Sequence, residues 1–206
     1  MKKQKNIIEA PFGETKVLLH TCCAPCSSAI IEALLKNGIT PVIYYCNPNI
    51  FPQEEYEIRK DECTRYAKAL GLEIVDADYD HDNWLEAMKG LEAEPERGGR
   101  CLKCFKLRLL RTAEYARDHG FKVITTTLAS SRWKSLDQIN EAGLWACNAV
   151  ENMPPDDENI PPDDSVIWWN QNWRKGGLQE RRLQIIKEYD FYNQQYCGCE
   201  FSMRNK

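Results

Sequence analysis

The chain has 206 residues, 43% hydrophobic and 28% charged, with a net charge of −4 and ten cysteines. That length supports one domain with a substantial core, and no composition break argues for two, so residues 1–206 are read as a single domain. No apolar run approaches a bilayer span and MKKQKNIIEAPFGETK lacks the apolar core of a signal peptide, so neither a membrane protein nor an exported one is expected. The expected compartment is the cytoplasm. In that reducing setting ten cysteines do not form a disulfide scaffold, which leaves metal or redox chemistry as the leading reading.

Lys16–His20 reads as the first strand, and SSAIIEALLKNG behind it has helical period with Gly38 as its stop. Between them TCCAPCSS crowds Cys22, Cys23 and Cys26 into one strand-to-helix turn. Such a turn lies at the carboxyl edge of a parallel sheet, where ligands bind, and the positive helix end favours thiolate over thiol. Residues 41–46 form the second strand. The turn 47–52 either walls a pocket or simply starts the long helix 53–70, which Gly71 ends. Residues 72–79 are the third strand, and Asp82 is suited to cap a short helix over 83–91. A polar loop over 94–99 then delivers Cys101 and Cys104 to the start of a helix ended by Gly120, with Leu102, Phe105, Leu109 and Tyr115 on one buried face.

The fourth strand spans 121–128, and Ser130, Ser131 and Ser135 mark loop or cap positions before a helix over 136–149. Residues 151–164 hold four prolines and six acidic side chains and read as an extended, solvated insertion. A fifth strand over 165–169 leads to the loop NQNWRKGG, which suits a phosphate or a flipped nucleotide, or is an ordinary turn with Trp173 packed down. A helix over 178–190 and the tail FYNQQYCGCEFS complete the chain. Strands alternating with helices imply right-handed crossovers and a parallel sheet of about five strands covered on both faces.

Cys22-Cys23 and Cys101-x-x-Cys104 can bring four thiolates to one sheet edge. Four soft ligands select zinc or an iron–sulfur cluster, and adjacent cysteines make an unusual zinc knuckle, which tilts the choice toward a cluster. Cys26 is either a further ligand or a free thiol in the first helical turn. Cys197-Gly-Cys199 can close only a small strained ring, which suits redox cycling or ligation of one metal, and Tyr192, Tyr196 and Phe201 can anchor it. Cys63 and Cys147 are expected in the core, and Cys46 lies at the site's edge without a partner. His20 could reach the site, whereas His81 and His119 read as surface loop residues, and none is expected as a catalyst. Six basic residues from Arg97 to Arg111, with no acidic one among them, suit a polyanion held at one face of an acidic body.

Taken together, HTCCAPCS, YYCNPNIFPQEEYEIRKDE, RCLKCFKLRL, TTTL with Ser130-Ser131, WRKGG and YCGCEFS resemble the QueH family, the epoxyqueuosine reductases that are not cobalamin-dependent. The resemblance implies a HUP-like, Rossmann-like α/β fold. It implies reduction of the epoxide of epoxyqueuosine at the wobble position of tRNA, the step that completes queuosine synthesis, with an electron donor the sequence does not identify. By the same resemblance Cys22, Cys23, Cys101 and Cys104 match the ligands of a 4Fe-4S cluster, and the domain is an iron–sulfur domain. Cys197 and Cys199 match a pair described as a redox-active disulfide or as ligands of an additional mononuclear iron. The position of Cys26 varies among members, and the acidic loop departs from their compact pattern. The basic helix from Lys103 to Arg111 would then hold anticodon phosphates.

Two other classes compete. A HUP-type tRNA thiolase needs a Gly-rich pyrophosphate loop after the first strand, and TCCAPCSS stands there instead. A non-enzymatic, zinc-stapled RNA-binding module would use every thiol structurally.

Overall fold

The structure, a computed structural model, describes residues 7–152 and 165–205. The acidic insertion expected over 151–164 therefore lies, beyond Glu151 and Asn152, outside the described residues. Val17, Leu18 and Leu19 are consecutive and all fully buried. Successive side chains of a strand point to opposite faces, so both faces of β1 (Lys16–His20) are covered. β1 pairs in parallel with β2 (Thr40–Tyr45) on one side and β4 (Val123–Thr126) on the other. β3 (Ile74–Asp76) and β5 (Ile167–Trp168) take the edges, giving the parallel order β3-β2-β1-β4-β5.

The chain winds outward from β1 to β3 and then returns to place β4 on the other side of β1. That reversal opens a crevice at the carboxyl ends of β1 and β4, where sheets of this kind take ligands. Around the sheet lie α1 (Ala24–Lys36), α2 (Gln53–Ala69), α3 (His81–Ala87), α4 (Gly99–Asp118), α5 (Leu136–Glu151) and α6 (Leu178–Glu188). α1 packs against α2 and α6, and α4 against α5, so two sets of helices clothe the sheet. Among the described residues no helix is long and apolar enough to cross a membrane.

Three boundaries depart from the sequence reading. β3 keeps only the middle of 72–79, because an edge strand with β2 alone beside it has fewer partners to extend it. β4 stops at Thr126, whose hydroxyl accepts the Leu128 N–H at 3.2 Å and starts a 3₁₀ turn over Thr127–Ser130. α3 begins at His81, so Asp82 sits inside the first turn, where its charge complements the helix end rather than capping it.

The carboxyl ends of the central strands are tied laterally through His20, which is fully buried. Its Nε2 lies 3.1 Å from the Cys46 carbonyl, which can only accept, so Nε2 carries the proton and Nδ1 accepts from the Thr126 hydroxyl at 2.6 Å. Burial, reinforced by Arg108, lowers its pKa to about 3 and keeps it neutral. Both nitrogens are spent on bracing β1, β2 and β4, in agreement with a histidine that is no catalyst.

The packing of α5 on β5 gives a direct test of the core. A Cβ at Gly143 would overlap the fused ring atoms of Trp168, which is buried and hydrogen-bonded to Asn140 at 3.3 Å. Alanine improves helix propensity by about 1 kcal/mol, whereas overpacking a rigid indole costs roughly 1–3 kcal/mol. The clash wins, so Gly143→Ala is expected to lower the urea midpoint, and an unchanged or higher midpoint would show that β5 is free to shift.

A thiol-lined candidate active site

β1 runs straight into Thr21, and Cys23 follows at the N-cap of α1 in fully extended backbone with no side-chain cap hydrogen bond. Pro25, in the first turn, suits a position whose N–H has no helical partner. This geometry folds Cys22, Cys23 and Cys26 onto one another, their sulfurs all within 4.8 Å. The Cys22 and Cys23 sulfurs are 3.8 Å apart. Hydrogen bonds from Cys23 and Cys26, with that of Thr127, hold Cys22 well below the ordinary thiol range against the cost of burial. Burial pushes Cys23 up, and its hydrogen bond to the Cys22 thiolate pushes Cys26 up to about 12. Cys22 is therefore the most readily ionised of the three. Three clustered sulfurs fit a soft, thiophilic metal, whose binding displaces thiol protons.

α4 brings the second pair. Its first turns place Cys101 and Cys104 on the wall of a cavity of about 820 Å³ that Cys22 and Cys26 also line. The Arg97 backbone N–H donates to the Cys101 sulfur at 3.3 Å, while burial raises the Cys101 pKa. Arg97 adopts φ +65°, a strained conformation for a residue with a side chain. It is held there from every side: its carbonyl accepts from Gln138 at 2.8 Å and its guanidinium reaches the loop after β4.

The third pair arrives from the tail. Cys197 and Cys199 line the same cavity, and both are free thiols. Arg59, buried in an ion pair with Glu55 at 2.7 Å, donates to the carbonyls of Tyr196 and Cys197, and the Phe51 N–H donates to the Gly198 carbonyl at 2.9 Å. Tyr192 donates to Glu55 at 2.7 Å, Tyr196 to the Phe51 carbonyl, and Phe201 is buried beside Trp84. The expected aromatic anchors thus hold the tail down. Gln194 reaches across to donate to the Cys23 sulfur at 2.8 Å.

Lys134 reaches Cys197 from the loop after β4, its Nζ 3.0 Å from the sulfur. Cys197 is exposed as a residue but its sulfur is crowded by the cavity wall, and the desolvation would raise its pKa; the Lys134 ammonium prevails by charge and hydrogen bond and lowers it. At Cys199 the Phe201 backbone hydrogen bond and the Arg100 charge are outweighed, and burial pushes it up to about 12. The tail pair is therefore asymmetric, with Cys197 the more readily ionised of the two.

Several sequence expectations change here. Arg108 and Arg100 are buried, Arg108 donating to the Cys46 carbonyl and Asn47, Arg100 to the carbonyls of Leu91, Glu92 and Glu94. Arg111 donates to the Ala77 carbonyl. These arginines brace loops from inside, because α4 turns this face inward, and they do not form an open phosphate-binding stripe. His81 is not a surface loop residue: it opens α3, its Nδ1 donates to the Pro48 carbonyl at 2.7 Å, and it stacks with Phe51, Tyr79 and Trp84. His119 is exposed at the end of α4, stacked on Tyr115. Cys63 and Cys147 are buried, as expected, and so is Cys46. Of the two readings for NQNWRKGG, Trp173 is packed down completely, while Arg174 enters the cavity wall.

Residues 17–205 match the family described as Epoxyqueuosine reductase QueH. The chain belongs to the QueH family. A QueH relative from Haemophilus influenzae, named epoxyqueuosine reductase, is 48% identical over 198 residues, covering 96% of this chain and 76% of its own. Another from Acinetobacter baylyi is 44% identical over 205 residues, covering 100% of this chain and 88% of its own, and one from Thermotoga maritima is 31% identical over 190 residues. Placed in the QueH family, the chain shows two site residues that sequence reasoning passed over, Lys134 and Gln194, while Arg97 was read only as part of the basic run. Lys134 carried a signal that could have found it: with Arg132 it is one of two cations in the Ser-rich loop that follows β4 at the sheet's ligand edge.

Proposed function

We propose that this chain reduces the epoxide of epoxyqueuosine at the wobble position of tRNA to queuosine. The observation that carries the reading is convergence: a tail Cys-x-Cys pair, pinned in place, faces two further thiol groups across one cavity. Removing an epoxide oxygen as water breaks two C–O bonds, forms a C=C bond, and consumes two electrons and two protons. Oxidation of Cys197 and Cys199 to a disulfide yields both electrons. The two protons reside on the Cys199 thiol and the Lys134 ammonium, and Lys134 can present its proton to the oxygen. An electron donor outside the chain then returns the disulfide to the dithiol.

Cys22, Cys23, Cys101 and Cys104 would hold the 4Fe-4S cluster, which supplies electrons one at a time when bound. The donors are soft sulfurs only: Cys22, Cys101 and Cys104 line one cavity and Cys23 lies buried behind them, its sulfur 3.8 Å from that of Cys22, a donor set that fits that group. A second reading rests on the compact Cys22, Cys23 and Cys26 group, which would instead close around a single thiophilic ion.

Anaerobic purification with iron, zinc and sulfide analysis, paired with single turnover on epoxyqueuosine-containing tRNA, separates these. About four irons with sulfide are expected, lost with turnover in Cys104→Ser and kept in Cys26→Ser. Metal lost in Cys26→Ser but kept in Cys104→Ser would overturn the four-ligand assignment. Zinc without sulfide and no turnover would leave the structural RNA-binding module.

A further inference from the structure

The loop 131–134, between the 3₁₀ turn after β4 and α5, is fixed to an unusual degree. Each of its four carbonyls accepts a guanidinium N–H. Arg174 Nη2 serves Ser131 and, at 2.6 Å, Lys134; Arg97 serves Arg132 at 2.9 Å and Trp133 at 3.0 Å. Two arginine anchors thus hold this backbone in place. The Trp133 side chain is nevertheless 66% exposed, the most exposed tryptophan among the described residues. Its one ring partner there is Arg132, whose guanidinium lies over it at 4.8 Å.

Trp133 lines the mouth of the cavity, and its chain neighbour Lys134 is the residue whose ammonium touches Cys197. Trp133, Lys134 and Cys197 line one cavity, so a nucleotide stacked on the indole shares that cavity with the reacting centre. Leaving aside the buried arginines, the charged side chains lining this cavity are Arg97, Arg132, Lys134, Arg174 and Arg182, with Glu96 the one acid among the described lining residues. A rigid, exposed indole backed by a guanidinium, in a basic rim, is the arrangement that stacks unpaired bases. We propose that Trp133 is a stacking platform for the anticodon-loop base next to the modified nucleotide, while that nucleotide occupies the cavity. This rests on the proposed tRNA reading and adds to it a subsite for a base that does not react. The subsite makes the enzyme sense the flanking nucleotide as well as the modified one.

A platform used alike in substrate and transition state supplies uniform binding, so its loss raises KM and leaves kcat. The test compares Trp133→Ala and Trp133→Phe with the unaltered, metal-loaded protein. It measures Kd for a labelled anticodon stem-loop RNA and then kcat and KM on the epoxyqueuosine-containing tRNA. Trp133→Ala is expected to weaken Kd and raise KM by roughly tenfold or more at constant kcat, and Trp133→Phe to restore most of both. An unchanged Kd would overturn the platform, and so would a fall in kcat at constant Kd, which marks a loop that merely positions Lys134. A change of oligomeric state in Trp133→Ala with Kd intact would overturn it too, by assigning the indole to a second copy of the chain. If the unaltered protein binds the RNA through Trp133 yet never turns over, the platform stands and the reductase reading fails.

Discussion

Gly198→Ala is expected to cut single-turnover reduction of epoxyqueuosine-containing tRNA by about 100-fold while leaving the bound metal in place. Gly198 sits at φ +106°, a region that a residue with a Cβ rarely adopts. A Cβ there would also stand 2.9 Å from Ile50 Cγ1, 3.1 Å from Arg59 Nη1 and 3.4 Å from Asn49 Nδ2. None of these neighbours yields easily. Ile50 is in the core, and Arg59 is locked in its buried ion pair with Glu55. The tail must therefore give way, and it carries Cys197 and Cys199 with it. A displacement of about 1 Å is enough for the loss, since both thiols must face the same epoxide. Because the proposed metal ligands lie in the β1–α1 turn and on α4, the iron content and visible spectrum should match the unaltered protein. Cys197→Ser and Cys199→Ser should fall further, to no detectable turnover, because neither can form the disulfide. Normal turnover in Gly198→Ala would mean that the pair need not be held, and the dithiol role would fall with it.

Lys134→Met is expected to slow alkylation of Cys197 by iodoacetamide at pH 7 by roughly tenfold or more. Only the thiolate reacts. Burial opposes the thiolate and Lys134 supports it, so removing the ammonium leaves the opposing influence alone. Between the lowered pKa and the usual thiol range, the unaltered protein holds more thiolate than the variant. The rise of alkylation rate with pH should accordingly move to higher pH in Lys134→Met, and Lys134→Arg should recover part of it. Lys103→Met, an exposed charge on α4, serves as the control and should change nothing. Superimposable pH profiles for the unaltered protein and Lys134→Met would remove Lys134 from the proposed chemistry.

The sheet was legible because its signals are local. Val17 to Leu19 form an uninterrupted apolar run, Gly38, Gly71 and Gly120 stop helices, and each adopts positive φ. Strand order was not legible, since it depends on pairings such as Leu18 with Ile124, far apart in the chain. The cysteines announced themselves by density, and the tail's aromatic anchors by composition. What misled was the basic run from Arg97 to Arg111. Charge in a sequence reads as exposure, but a guanidinium can be buried when backbone carbonyls take its N–H groups, as Arg100 and Arg108 show. Lys134 and Gln194 were passed over for the opposite reason: one ordinary polar residue carries no pattern until the fold sets it against a sulfur.

The thiol site also has an order in time. Gln194 meets Cys23 across 171 residues of chain, and Cys197 comes later still. During synthesis the first thiol group therefore emerges long before the tail that covers it. For that interval Cys22, Cys23 and Cys26 stand without the amide donor of Gln194 and without the wall that Cys197 and Cys199 provide. The nascent chain thus has an open door to its first thiol group, and translation of the last residues of the site shuts it. For the cluster proposed above, a factor that loads it would have its best access before the tail docks.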